Sequence, residues 1–197
     1  MGTMGEIRAF IAIELPAEVK DFLSEVTAKL RPGRERAVKW VAPEGIHLTL
    51  KFLGNIPEEQ VVNITNTLDK IARETPYFEL TLEGAGAFPN SKSPRVIWVG
   101  MGGDIPELTN LQRQIERELA SLGFPADKKA FLAHLTLGRV REKATRQERL
   151  ELRKAVGELR IDGTVPFQVA GISLMKSTLT SSGAIYERLA KTTLDRK

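Results

Sequence analysis

Gly45-Ile46-His47-Leu48-Thr49-Leu50-Lys51-Phe52 alternates polar and apolar side chains over most of its length, the period of a strand with one face buried. Its histidine is one of two in the chain, and the other, His134, is also followed by Leu135-Thr136-Leu137. At this leucine and threonine content, a histidine meets Leu-Thr-Leu by accident on the order of once in a thousand times. The two copies lie 87 positions apart.

That offset extends to their surroundings. Residues 8–15 (RAFIAIEL) form an apolar, β-branched run stopped by Pro16 and read as a buried strand. Residues 17–30 place Val19, Phe22, Leu23, Val26 and Leu30 near helical spacing before Pro32-Gly33. Residues 38–41 and the His47 strand follow, the latter ending in the turn cluster Gly54-Asn55-Ile56-Pro57. A helix is expected over 57–73, and Phe78, Leu80 and Leu82 alternate as in a half-exposed strand. The order then repeats: strand 95–100, helix 105–122, the His134 strand over 131–140 and helix 145–159, with closing strands at 167–175 and 185–189. Even Arg8 lands on Arg95. Any α+β chain alternates to some degree, but here the identical tetrapeptides fall at matching places. The chain reads as an α+β fold of two similar halves, approximately 1–90 and 91–197, forming one bilobal domain over 1–197. The stretch 84–94 (GAGAFPNSKSP), rich in Gly, Pro, Asn and Ser, is the expected loop between the halves.

With 42% hydrophobic and 27% charged residues in 197, the chain can bury a real core. A net charge of +4 and a pI near 9.4 lean toward an anionic partner. The absence of cysteine removes disulfides, thiolate metal sites and cysteine nucleophiles. No run approaches the roughly 18 apolar residues of a membrane helix, and the N-terminus lacks the plan of a signal peptide, so a cytoplasmic protein without a membrane partner is expected. Met1-Gly2 does not extend to an acylation motif, since position six is Glu6.

On a strand, His47, Thr49 and Lys51 share one face while Leu48, Leu50 and Phe52 take the other; His134 and Thr136 likewise oppose Leu135 and Leu137. If the halves are related by a two-fold axis, two imidazoles and two hydroxyls surround one site. That set suits acid-base chemistry at a phosphodiester. One neutral imidazole takes a proton from water, one imidazolium gives a proton to the departing sugar oxygen, and the threonines bond the phosphoryl oxygens. No cofactor or metal is expected, because two histidines fall short of the three protein ligands usual in catalytic zinc, and no Gly-X-Ser-X-Gly turn is present. The basic stretch Arg139, Arg141, Lys143, Arg146, Arg149, Arg153 and Lys154 is interleaved with Glu142, Glu148 and Glu151, as on a solvated helix.

The paired His-X-Thr-X motifs resemble the 2H phosphoesterase superfamily. RAFIAIELP (8–16), KWVAPEGIHLTLKFLG (39–54), PRVIWVG (94–100) and HLTLGR (134–139) are similar to its RNA 2′,3′-cyclic phosphodiesterases, also called 2′-5′ RNA ligases. The resemblance implies antiparallel sheets lining a cleft, with helices outside. It also implies metal-independent opening of an RNA 2′,3′-cyclic phosphate end to a 2′-phosphate. It assigns His47 as proton donor to the 3′-oxygen, His134 as the water-activating acceptor, Thr49 and Thr136 as phosphate contacts, and Arg139 as a phosphate ligand. The two motifs are locally alike, so residue chemistry alone leaves donor and acceptor open. Strict alternation puts Arg139 on the face opposite His134 unless the strand twists or ends by Gly138. Lys51 is a candidate for RNA phosphates and Phe10 for base stacking. Ala133 stands where the family usually has proline before its second histidine. The expected partner is RNA or an oligonucleotide with a cyclic phosphate end, and a monomer is expected. Reversible 2′-5′ ligation at the same site and a non-catalytic module that holds RNA ends are the alternatives.

Overall fold

The computed structural model describes residues 5–90, 94–161, 164–180 and 183–196; Met1-Gly2 and residues 91–93 of the expected boundary loop lie outside them. Strand β1 (Glu6–Glu14) leads through Pro16 into helix α1 (Ala17–Leu30), which buries Val19, Leu23, Val26 and Leu30. A short strand β2 (Val38–Trp40) precedes β3 (His47–Pro57) and helix α2 (Gln60–Arg73), which buries Ile64, Leu68, Ile71 and Ala72. Then come β4 (Phe78–Phe88), β5 (Val96–Gly103) and helix α3 (Ile105–Ala120). Strand β6 (His134–Val140) is followed by helix α4 (Arg146–Glu158), and β7 (Thr164–Val169), β8 (Gly171–Leu179) and β9 (Ala184–Thr193) complete the chain. Helix α4 starts where its sequence places it, because Thr145 and Glu148 form a reciprocal capping box.

The strands pair antiparallel in the order β7-β4-β5-β6-β3-β1-β8-β9, with β2 also on β6. At the centre, β3 and β6 meet at Leu48 and Leu135. These two leucines are themselves 87 positions apart, so the internal offset maps one onto its own cross-strand partner. An approximate two-fold axis therefore passes through this bridge. Moving outward, β6-β5-β4-β7 on one side answers β3-β1-β8-β9 on the other. The leucines Leu48, Leu50, Leu135 and Leu137 are at most 2% exposed and join the helices' apolar stripes in one core. The threonine-histidine face is left on the other side of the sheet.

Two expectations are corrected. The Gly-rich segment from Gly84 is not a loop but the second part of β4, which runs to Phe88. Its small residues admit a neighbouring indole: a Cβ on Gly86 would lie 2.5 Å from the Trp98 ring. The apolar run 167–175 is not one strand but two, broken at Ala170. Strand β7 pairs with β4, whereas β8 pairs with β1 at the opposite side of the sheet. The sequence halves thus exchange outer strands: β4 lies beside β5, and β8 and β9 extend from β1.

Candidate active site

Both histidines open a strand at the centre of the sheet, which is why they can share a site. In the register fixed by Leu48 and Leu135, the residues flanking the bridge place His47 toward Thr136 and Thr49 toward His134. All four line one cavity of about 400 Å³, together with Arg8, Phe10, Phe52, Arg139 and Tyr186 among others. Each ring is oriented in the same way. His47 Nδ1–H donates to the Gly45 carbonyl at 2.9 Å and His134 Nδ1–H to the Leu132 carbonyl at 2.7 Å. A carbonyl only accepts, so Nδ1 carries the hydrogen in both rings. Proton exchange is left to Nε2. The two acceptor carbonyls are also 87 residues apart, so the repeat preserves the tautomer as well as the side chain.

The surroundings of the two rings differ. His47 stacks on Phe10 at 4.6 Å between centroids with 27° between planes, and packs perpendicular to Tyr186 at 4.9 Å. Burial pushes the His47 imidazole down to about 4; the Gly45 hydrogen bond and Glu14 oppose this, while Lys20 adds to it. Among the described residues, the aromatic ring beside His134 is that of Phe88, packed edge-to-face at 4.9 Å. Glu14, the cross-strand neighbour of His47, accepts hydrogen bonds from Ser173 Oγ and Arg188. Burial alone would raise its carboxyl, but these partners outweigh that and hold it below its usual range.

Irregularities in the two central strands set the remaining orientations. The pairing of β1 with β3 skips Leu50, so Ile11 faces Lys51 and Ala12 faces Thr49. This β-bulge turns Phe52 onto the histidine face and Lys51 away from it. The pairing of β5 with β6 skips Leu137, the equivalent residue, and turns Arg139 onto the histidine face. Phe52 and Arg139, a repeat apart, both line the cavity. Arg139 thus reaches the site that strict alternation denied it.

Lys51 is corrected: instead of facing the cleft its side chain is 1% exposed, with Nζ donating to Glu116 and to the Pro125 carbonyl. Glu116 also accepts from Gln112 Nε2 and the Asp127 amide, so Lys51 anchors α3 and the following loop. Phe10 is corrected as well. It borders the cavity but is 2% exposed, and one face of its ring is stacked on His47. In the basic stretch, Arg149 is committed to the carbonyls of Ala144, Pro94, Arg141 and Glu142. Among the described residues no group of three or more His, Cys, Asp or Glu side chains is arranged to hold a metal ion. Sequence reasoning missed Tyr186, Glu14 and Phe52. Only Phe52 carried a signal, its place one repeat before Arg139.

Comparison with known proteins finds two successive matches to the family described as LigT like phosphoesterase, over residues 13–98 and 102–186. A protein of Methanothermobacter thermautotrophicus named RNA 2′,3′-cyclic phosphodiesterase is 35% identical, over 92% of this chain and 95% of its own. The crystal structure of TT0787 of Thermus thermophilus superposes with a TM-score of 0.81 at 31% identity, covering 96% of this chain and 98% of that one. The structure of E. coli LigT complexed with 3′-AMP gives 0.78 at 28% identity, over 96% and 99%.

Proposed function

Because the chain belongs to the LigT-like phosphoesterase family, we propose that it hydrolyses the terminal 2′,3′-cyclic phosphate of RNA to a 2′-phosphate by proton transfer between its two histidines. The observation that carries this reading is the matched pair of imidazoles. Each is locked through Nδ1 to a backbone carbonyl, and both line one cavity with two threonines and an arginine.

In the proposed reaction, His134 Nε2 accepts a proton from water as the water oxygen attacks phosphorus. The bond from phosphorus to the 3′-oxygen breaks, and His47 Nε2–H gives its proton to that oxygen. The products are a 2′-phosphate and a 3′-hydroxyl, with the proton difference between the rings reset through solvent. Thr49 and Thr136 hydroxyls donate to the non-bridging oxygens, where charge grows in the transition state. Arg139 offers the planar fork that matches two phosphoryl oxygens. This chemistry calls on no metal. His47 becomes a donor only after taking up a proton, which the anionic substrate favours by offsetting the burial that otherwise keeps the ring neutral.

The test is incubation, with chelator, of an oligoribonucleotide ending in a 2′,3′-cyclic phosphate. A 2′-phosphate product whose formation is lost in His47→Gln and in His134→Gln is expected. A 3′-phosphate product, no conversion, or full conversion by either variant refutes the proposal.

A further inference from the structure

The repeat is broken at one place beside the cavity, and the break leaves a groove. On one side of the Leu48–Leu135 bridge, β2 pairs with residues 138–140 of β6 and closes the gap between the central strands. Gly138 makes this possible, since a Cβ there would lie 2.7 Å from Val38 and 3.0 Å from Trp40. One repeat on, residues 125–127 form no strand. Lys51 stands where the other copy has Gly138, and its long side chain spans to Glu116 and Pro125 instead.

The opening that results is a groove of about 540 Å³, which shares Thr49, Phe52 and His134 with the catalytic cavity. Its walls carry Phe88, Phe131 and Leu132, and among the described residues that line it Arg95 and Lys129 stand against one carboxylate, that of Asp127. Phe52 and Leu132 are 59% and 60% exposed, a large apolar surface to leave in water next to a polar site.

Building on the function proposed above, we infer that this groove is a second RNA subsite, which holds the single-stranded nucleotides preceding the cyclic-phosphate end in the same strand. Aromatic faces between cations are the arrangement that binds single-stranded nucleic acid, because every base has a face to stack and every linkage a charge to neutralise. A groove continuous with the cavity past His134 gives the chain a way out of the site. A paired end does not fit this description, since stacking on Phe52 and Leu132 requires bases freed from a duplex.

The experiment compares cytidine 2′,3′-cyclic phosphate with a single-stranded trinucleotide carrying the same end. The proteins are wild type and the double variant Arg95→Gln/Lys129→Glu, whose side chains line the groove and not the cavity. Wild type is expected to prefer the trinucleotide in kcat/KM by about 10-fold or more, with the advantage shrinking as salt rises. The variant is expected to lose that preference while turning over the mononucleotide within about twofold of wild type. Equal kcat/KM for both lengths in wild type, or an equal loss on both substrates in the variant, overturns the subsite.

A binding arm separates this from failure of the proposed reaction. If neither substrate turns over, a trinucleotide 2′-phosphate is titrated into the protein and Leu132 methyl NMR signals are followed. Shifts with the trinucleotide and not with cytidine 2′-phosphate support the groove and leave only the reaction rejected. Shifts with neither overturn the groove, as do equal shifts with both or with a blunt duplex end.

Discussion

Binding of a phosphate to the cleft should protonate His47. Burial holds this imidazole at about 4, against an ordinary value of about 6.5, and that displacement corresponds to about 3.4 kcal/mol against the charged form. A single negative charge about 4 Å away, at an effective dielectric near 20, returns about 4 kcal/mol, or roughly three pH units. The His47 value in the complex is then expected near 7, where an imidazolium is a good general acid. The chain has only two histidines, so the ring ¹⁵N signals can be assigned with two single variants and titrated directly. The expected result is a His47 midpoint near 4 in the free protein, moving up by at least two units with saturating nucleoside 2′-monophosphate. A free-state midpoint near 6.5 refutes the burial argument. A midpoint that stays near 4 in the complex refutes the donor role, because His47 would then be neutral throughout the working range.

The same group links pH to stability. The folded value lies below the unfolded one, so the contribution is fully present above about pH 6.5 and is lost as pH falls toward 4; about 2 kcal/mol is gone by pH 5. Urea unfolding at pH 7.5 and pH 5 should show this loss in wild type and lack it in His47→Gln. Glu14→Gln should lower the free-state His47 midpoint further and Lys20→Met should raise it, since the carboxylate favours the imidazolium and the ammonium opposes it; both are read by the same NMR titration. Arg139→Lys should reduce kcat/KM by about 10-fold or more through loss of the bidentate fork, and an unchanged value removes Arg139 from the phosphate. Lys51→Met should cost about 3–5 kcal/mol because it strands the Glu116 carboxylate, and Lys51→Met/Glu116→Leu should recover much of that in urea melts.

The sequence made the periodic features legible. The helices show their buried stripes at helical spacing, the central leucines alternate with histidine and threonine, and the repeat offset already locates the two-fold relation that Leu48 and Leu135 display. Orientation past the first polar pair was not legible. A bulge at Leu50 or Leu137 is a property of two strands in register, and neither strand records it alone. Alternation therefore sent Lys51 into the cleft and Arg139 out of it. The exchange of outer strands was hidden for a different reason. The run through Val169, Ala170 and Gly171 is apolar and small throughout, and says nothing of a crossing from beside β4 to beside β1. Tyr186 and Glu14 reach His47 from strands distant in sequence, so no local pattern marks them.

A two-fold site poses a chemical problem that this fold answers with unequal walls. Perfect symmetry would give both imidazoles the same proton affinity, whereas the proposed two-histidine hydrolysis needs one charged and one neutral at the moment of attack. The repeat keeps the parts that must match: both Nδ1 anchors, both threonines, and the bulges that aim Phe52 and Arg139 inward. It departs in what surrounds each ring. Phe10 and Tyr186 enclose His47, drawn from β1 and from the late strand β9, while His134 packs perpendicular to Phe88 and borders the groove that the missing counterpart of β2 leaves open. Opening the wall around His47 should therefore change its readiness to act as donor without touching either histidine. Phe10→Leu tests this directly: it thins the wall, and the free-state His47 midpoint should rise toward 6.5. A midpoint left near 4 in that variant would place the origin of the depression in burial by groups other than Phe10 and in the Lys20 charge.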